Sequence, residues 1–169
     1  MRAATATGHF APPLSQHETA PHYFALAGFI AIALLAALPV RWLDVLSTYS
    51  TLTLPEWAPP AWLFGPVWAV LYVLMGVAAW GIWQSRGWCS ALGLWLGQLA
   101  LNAAWPLLFF GLHTPDWAFA EIVLLWFSIA ASIVAFAWIQ PWSGLLLMPY
   151  LIWVTFAAVL NFVIWQMNS

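Results

Sequence analysis

Polar and aromatic side chains recur at helical spacing inside strongly apolar stretches of this sequence. Gln98 and Asn102 lie four residues apart, and Trp105 and Phe109 continue the same stripe. Residues four apart share one face of a helix. An unpaired amide is costly in hydrocarbon, so this face is predicted to point inward. The chemistry it offers is non-covalent: indole rings that can stack on a flat ligand, and amides that can donate or accept hydrogen bonds.

Two further apolar stretches carry comparable stripes, and together the three predict a common interior. The residues are Trp68 with Tyr72, and Trp153, Ala157 and Asn161 with Leu160 alongside. Spacing alone favours amides that only hydrogen-bond one helix to another, and a ligand site is the alternative. Glu121, in another apolar stretch, has the same two interpretations: an interhelical contact or a functional acid.

Hydrolytic, metal-dependent and nucleic-acid chemistry find little support in the sequence. Three of the four histidines fall within the first 22 residues, and the fourth, His113, stands three residues before Asp116. This is not the spacing of a metal site, and ligation of haem by His113 is disfavoured. Cys89 is the single cysteine, so no internal disulfide can form. Three arginines and no lysine cannot build the cationic face that nucleic acid requires.

The composition excludes an ordinary soluble domain. Of the 169 residues, 65% are hydrophobic and 5% are charged, whereas a soluble domain carries about 25% charged residues. The sequence therefore predicts an all-α membrane protein in which five helices cross the bilayer, each with the roughly 18–20 residues that a crossing needs. The predicted helices span residues 23–40, 61–84, 88–112, 114–139 and 142–166.

The flanking segments complete the predicted organisation. Residues 1–21 are expected to form a mobile tail, with the first helix retained rather than cleaved as a signal peptide, and residues 22–169 form one transmembrane domain. Thr114 is predicted to cap the fourth helix with its hydroxyl. Ser128 and Ser132 are expected to donate hydrogen bonds back to carbonyls of their own helix.

Several motifs occur in an order that resembles the TspO/MBR family, the tryptophan-rich sensory proteins that include the mitochondrial translocator protein. The similarity runs from Tyr23 to Asn168, and Trp117 and Glu121 also stand where many members have a tryptophan and an acid. The motifs are WAPP at 57–60, FGPVW at 64–68, LY at 71–72, QLALNAAWPLLFFG at 98–111, PYLIW at 149–153 and LN at 160–161.

The resemblance implies a five-helix bundle in which the link after the first helix forms a lid over an intramembrane cavity. Prolines suit such a lid because they fix φ and remove donors that would lack partners. The implied ligand is a porphyrin, either protoporphyrin IX or haem, with no obligatory cofactor and no metal site. The residues that match the family's pocket are Trp57, Phe64, Trp68, Asn102, Trp105, Trp117, Trp153, Ala157 and Leu160.

The resemblance also bears on partners and location. Gly93 and Gly97 match a small-x-x-x-small site that implies a homodimer within membrane lipid. Phe162 and Gln166 break the sterol-recognition pattern, which disfavours sterol binding and favours a bacterial membrane over the mitochondrial outer membrane. The lid has Leu54 where a lysine is common, so porphyrin carboxylates are expected to face water.

Three functions follow from the resemblance. The first is a membrane receptor or sensor that binds porphyrins and acts in tetrapyrrole regulation or a stress response. The second is a light- and oxygen-dependent enzyme that degrades porphyrins, in which Trp68 and Trp153 would be the catalytic residues. The third is a transporter of tetrapyrroles or lipids, which ranks last because the sequence shows neither inverted repeats nor discontinuous helices.

Overall fold

The computed structural model describes residues 20–168 as a bundle of helices, with no strand in that range. Residues 1–19 of the predicted tail lie outside the described residues. Short 3₁₀ turns occur at Leu38–Trp42 and Ala61–Leu63, and a π-helical turn at Leu107–Gly111. The α-helices are α1 (Ala20–Leu35), α2 (Val45–Thr51), α3 (Phe64–Arg86), α4 (Ser90–Pro106), α5 (Pro115–Ile139), α6 (Pro141–Leu146) and α7 (Met148–Met167).

Four helical stretches are long and apolar enough to cross a membrane. They are Ala61–Arg86, Ser90–Gly111, Pro115–Ile139 and Pro141–Met167, and the apolar helix at His22–Leu35 is shorter. At a rise of 1.5 Å per residue, each of the four covers a hydrocarbon core of about 30 Å. Large apolar side chains face outward all around them, including Phe127, Trp138 and Ile152. This is the surface of an integral, multi-pass membrane protein.

The first helix is shorter than the sequence predicts. Instead of continuing to residue 40, α1 ends at Leu35, and the chain turns into the 3₁₀ segment Leu38–Trp42. The reason is Pro39, which cannot donate to a preceding carbonyl and disfavours α conformation in the residue before it. The prediction of a polar link after this helix also missed α2, where the Asp44 carboxylate accepts a hydrogen bond from the Ser47 N–H at 3.4 Å.

The start of α5 corrects a second prediction. Thr114 does not cap the helix with its side chain. Its hydroxyl donates instead to the carbonyl of Leu108 at 3.2 Å, and its backbone N–H donates to the same oxygen at 3.1 Å. The π-helical turn just before leaves this carbonyl free for both donors. Further along α5 the Ser132 hydroxyl donates to the Ser128 carbonyl at 2.8 Å, as predicted.

The bundle is solid at one end and hollow at the other. Helix α1 packs on α3, and α5 packs on α4, α6 and α7. Helices α1 and α3 come close together at Gly76, where an added Cβ would lie 2.6 Å from the Cα of Ile30. Trp95 and Ile82 are fully buried in the cluster at this end. At the other end a smaller cluster, centred on Phe109, packs against the connection between α1 and α3.

Candidate functional site

The hollow end of the bundle contains a cavity of about 440 Å³. Its walls come from α3, α4, α7 and the π-helical turn, and its mouth lies against the end of α1, the following 3₁₀ turn and α2. Nearly all of the lining is aliphatic or aromatic. The residues that line it are Leu34, Ala37, Val40, Arg41, Val45, Tyr49, Ala61, Phe64, Gly65, Trp68, Ala69, Tyr72, Asn102, Trp105, Pro106, Phe109, Phe110, Ala157, Leu160, Asn161 and Ile164.

Asn102 joins three helices at the inner wall of this cavity. Its Oδ1 accepts a hydrogen bond from the Tyr72 hydroxyl on α3 at 2.8 Å. Its Nδ2 donates to the Tyr150 hydroxyl on α7 at 3.1 Å. All three side chains are buried, and a buried amide left without partners would cost free energy. The bonds therefore fix the relative positions of α3, α4 and α7.

A second amide, Asn161, makes an equivalent connection one turn of α4 further along. Its Oδ1 accepts from the indole Nε1 of Trp105 at 3.0 Å, and its Nδ2 donates to the carbonyl of Pro115 at 2.9 Å. The alternatives left open by the sequence are thus not exclusive, because Asn102 and Asn161 both link helices and line the cavity. Gln98 is buried and lies outside the lining. Within residues 20–168 its Nε2 donates to the sulfur of Met75 at 3.8 Å and its Oε1 has no partner, so it has a packing role.

Two pairs of nearly parallel rings form the aromatic walls. The rings of Trp68 and Tyr72 have centroids 5.4 Å apart and planes inclined by 29°. Those of Trp105 and Phe109 are 5.0 Å apart and inclined by 24°. Pro106 precedes the π-helical turn, whose extra residue places both Phe109 and the adjoining Phe110 on the cavity. Flat rings of this kind favour a flat, apolar ligand.

A second, much smaller space of about 30 Å³ is lined partly by the same residues. It has Phe64, Trp68, Asn102, Trp105 and Ala157 in common with the larger cavity. Trp153 and Val154 of α7, and Ile122 and Leu125 of α5, complete its lining. The buried Nε1 of Trp153 has no hydrogen-bond partner in the described part of the chain.

The structure brings together most of the residues that the sequence selects for a ligand. Six of the nine line the larger cavity: Phe64, Trp68, Asn102, Trp105, Ala157 and Leu160. Trp153 lines the smaller space, while Trp57 and Trp117 line neither.

Trp57 and Trp117 lie on the outside of the molecule. Trp57 is 49% exposed, and its ring packs edge-on against Phe156 at 5.9 Å. Trp117 is 67% exposed at the start of α5. Trp57 nevertheless connects to the pocket indirectly, because the ring of Phe156 lies 5.5 Å from that of Trp153.

Two polar residues at the mouth, Arg41 and Tyr49, were not among the residues predicted from the sequence to bind a ligand. Among the described residues that line the cavity, only Arg41 is charged. Tyr49 donates its hydroxyl proton to the Pro59 carbonyl at 2.9 Å, and burial raises the pKa of its phenol, which keeps it a donor. Asp44 was the one available signal in the sequence for α2, because it is an N-cap residue followed by a short run of apolar and hydroxyl side chains. A helix starting there would have included Tyr49.

Two other residues singled out by the sequence lie away from the cavity. Both carboxylate oxygens of Glu121 are buried, with no hydrogen-bond partner in the described range, and the residue lines neither space. His113 follows the π-helical turn. Within residues 20–168, no group of three or more His, Cys, Asp and Glu side chains could hold a metal ion.

Comparison with known proteins identifies clear relatives. Residues 25–166 match the TspO/MBR family. The chain is 40% identical to a translocator protein of Ovis aries over 147 residues, which cover 84% of this chain and 83% of that protein. It is 43% identical to a tryptophan-rich protein TspO of Chlorobaculum tepidum over 124 residues, 71% of this chain and 78% of the relative. A tryptophan-rich sensory protein of Cereibacter sphaeroides is 40% identical over 120 residues, 71% and 76% of the two chains.

Replacing Asn102 by leucine tests whether its amide holds the helices together. Asn102→Leu removes a partner from each of two buried tyrosine hydroxyls, and each unpaired group costs about 1–3 kcal/mol. The thermal midpoint of unfolding in an uncharged detergent should therefore fall clearly. Gln98→Leu is the matched control, because this amide has no oxygen partner to lose, and it should leave the midpoint nearly unchanged. An equal or larger effect of Gln98→Leu would contradict the assignment.

Proposed function

The chain belongs to the TspO/MBR family, and on this premise we propose that it is a membrane receptor or sensor for porphyrins such as protoporphyrin IX or haem. The observation that carries the proposal is the aromatic cavity at the hollow end of the bundle. Its volume of about 440 Å³ falls within the roughly 300–1,000 Å³ typical of sites for small molecules. The physiological role would be tetrapyrrole regulation or a stress response.

The walls suit a macrocycle because they are flat and their amide and phenol groups are already hydrogen-bonded within the protein. Trp68 stacks on Tyr72 at one wall, and Trp105 stacks on Phe109 at another. Asn102 is bonded within the protein. An apolar ligand can enter such a site without stripping water from unpaired polar groups.

We propose that residues 45–60, here called the lid, cover the mouth of the cavity. Three of its residues, Leu52, Leu54 and Ala58, pack on the apolar cluster centred on Phe109. The Tyr49 hydroxyl donates to the Pro59 carbonyl, and this bond joins the first and last parts of the lid. The lid is also hydrogen-bonded to the end of α7. Binding of a porphyrin in the cavity would alter this attachment, and the resulting change in the lid would be the signal.

The attachment is a pair of hydrogen bonds to the backbone of Thr53. Asn168 Oδ1 accepts from the Thr53 N–H at 2.9 Å, and Asn168 Nδ2 donates to the Thr53 carbonyl at 3.0 Å. The same Nδ2 also donates to the Ile164 carbonyl at 2.8 Å, which holds the side chain in place.

A homodimer within the lipid is part of the proposal. Gly93 and Gly97 are exposed on α4, and a Cβ added at either would have nothing within 4 Å. They therefore do not serve helix packing within one chain, and a second copy could approach this face closely.

We place the protein in a bacterial membrane and disfavour sterol as a ligand, because Phe162 and Gln166 replace the hydroxyl and cation of the sterol pattern.

Porphyrin degradation is the second candidate, favoured by one observation. Trp68 and Trp153 both line the small space of about 30 Å³ beside the main cavity, which is close to the volume of one water molecule, about 30 Å³. A molecule as small as dioxygen would fit there next to both indoles. In that reaction dioxygen would be the oxidant, and the porphyrin would be oxidised and opened.

Titration with protoporphyrin IX tests the receptor function. Protein in an uncharged detergent is titrated in darkness while tryptophan fluorescence and porphyrin absorbance are followed. Wild type should bind, and Trp68→Phe should weaken binding by up to about tenfold, since a favourable aromatic pair contributes about 0.5–1.5 kcal/mol. Trp138→Phe is the control, because Trp138 is 84% exposed and lines neither space. Absence of saturable binding to wild type would refute the proposal.

The same samples under illumination in air distinguish sensor from enzyme. A sensor binds porphyrin without forming product. A new absorbance typical of an opened macrocycle, lost in both Trp68→Phe and Trp153→Phe but kept in Trp138→Phe, would establish the degradative function instead.

Asn168→Ala tests the lid. Removing its two bonds to Thr53, each contributing about 0.5–1.5 kcal/mol, should speed hydrogen exchange of the Thr53 amide and dissociation of protoporphyrin IX by roughly tenfold. Thr51→Ala is the control, because the Thr51 hydroxyl bonds only to the Thr48 carbonyl inside α2. If Asn168→Ala changes neither the exchange rate of the Thr53 amide nor the dissociation rate of protoporphyrin IX, these hydrogen bonds do not hold the lid in place.

Gly97→Leu tests the dimer. A leucine would separate the two α4 helices, so the mass of the protein–detergent complex measured by light scattering should fall from two chains to one. Gly28→Leu is the matched control, since Gly28 of α1 is equally exposed with open space around it. A wild-type monomer, or a Gly97→Leu dimer as stable as wild type, would rule out this interface.

A further inference from the structure

Arg41 is the residue of the cavity that the proposed function leaves without a role. It lies in the 3₁₀ turn Leu38–Trp42, is exposed at the mouth, and is the only charged residue among the described residues of the lining. The nearest acid in sequence, Asp44, caps α2 through the Ser47 N–H. Within residues 20–168, no hydrogen bond or ion pair engages the guanidinium of Arg41.

The phenol and amide groups of the cavity already have partners, as does the indole N–H of Trp105. Tyr49 donates to a lid carbonyl, Tyr72 and Asn102 bond to each other, and Trp105 bonds to Asn161. The guanidinium, by contrast, presents five N–H donors in a planar fork that matches a carboxylate. The cavity thus combines an apolar interior with one free cation at its rim.

From this distribution we infer that Arg41 binds a carboxylate at the edge of the ligand, so that the cavity selects flat, apolar molecules that carry an acidic group. The aromatic body lies against Trp68 and Trp105, and the carboxylate stays at the mouth beside the guanidinium. Charge-assisted, bidentate hydrogen bonds of this kind are stronger than hydrogen bonds between neutral groups. The inference rests on the proposed function for its porphyrin probe, and it replaces the expectation that the carboxylates face water alone.

Two porphyrins that differ only in their carboxylates test the inference. Protoporphyrin IX and its dimethyl ester are each titrated against the full chain in an uncharged maltoside detergent, which removes lipid phosphates as competitors, with empty micelles as the blank. Wild type should bind the diacid about tenfold more tightly than the ester, as hydrogen bonds to charged groups predict. This preference should shrink as salt is added, because Arg41 is exposed.

The variants assign the preference to one side chain. Arg41→Gln should lose about tenfold in affinity for the diacid and none for the ester, while Arg41→Lys should keep part of the preference because it retains the charge without the fork. Unchanged ester binding also shows that the variants fold. Arg86→Gln is the matched control: Arg86 ends α3, exposed and about 20 Å along the helix from Tyr72.

Failure of this inference and failure of the proposed function give different results. If wild type and Arg41→Gln bind both porphyrins equally, Arg41 has no such role, and the receptor function stands. If neither porphyrin binds, pyrenebutyric acid and its methyl ester replace them as a flat acid and its neutral partner. An acid preference that Arg41→Gln abolishes then supports the role of Arg41 without porphyrin, and its absence overturns that role.

Discussion

The structure depends on the need to satisfy a few polar groups inside an apolar bundle. Asn102 can pair both ends of its amide only if Tyr72 of α3 and Tyr150 of α7 converge on α4. Asn161 sets a similar condition for Trp105 and the start of α5. In a low-dielectric interior these bonds are strong and their loss is costly, so they fix the helix positions. The aromatic rings between the two networks then enclose a hollow rather than collapse into it.

Solid and hollow halves of the bundle have different physical origins. At the solid end Gly76, which has no side chain, lets the backbone of α3 come close to that of α1 at Ile30, and Trp95 fills the space beside them. At the hollow end α1 has already stopped at Leu35, so this helix does not extend along the gap as the four longer ones do. The 3₁₀ turn Leu38–Trp42 and α2 border the cavity there, and they add the Arg41 guanidinium and the Tyr49 hydroxyl to the amides and the phenol that the long helices supply.

Much of this could be predicted from the sequence because helical periodicity is local. The spacing of Asn102 with Trp105, and of Trp153 with Asn161, correctly indicated faces that turn inward, and the lengths of the apolar stretches indicated four of the helices. The first helix was predicted too long because hydrophobicity continues past Pro39 while helix geometry does not. The hydroxyl of Thr114 was assigned to a cap because the π-helical turn, which offers it the Leu108 carbonyl, has no clear signature in the sequence.

The membrane class, the inward helix faces and the family resemblance can be inferred without coordinates, since they follow from composition and from contacts between residues close in the chain. Which aromatic residues border the cavity depends instead on how helices distant in sequence pack together. Trp57 and Trp68 are alike in type and lie eleven residues apart, yet one faces outward and the other lines the site. The position of Arg41 could not be predicted either, because it depends on where α1 ends and on how the 3₁₀ turn Leu38–Trp42 packs against helices distant in sequence.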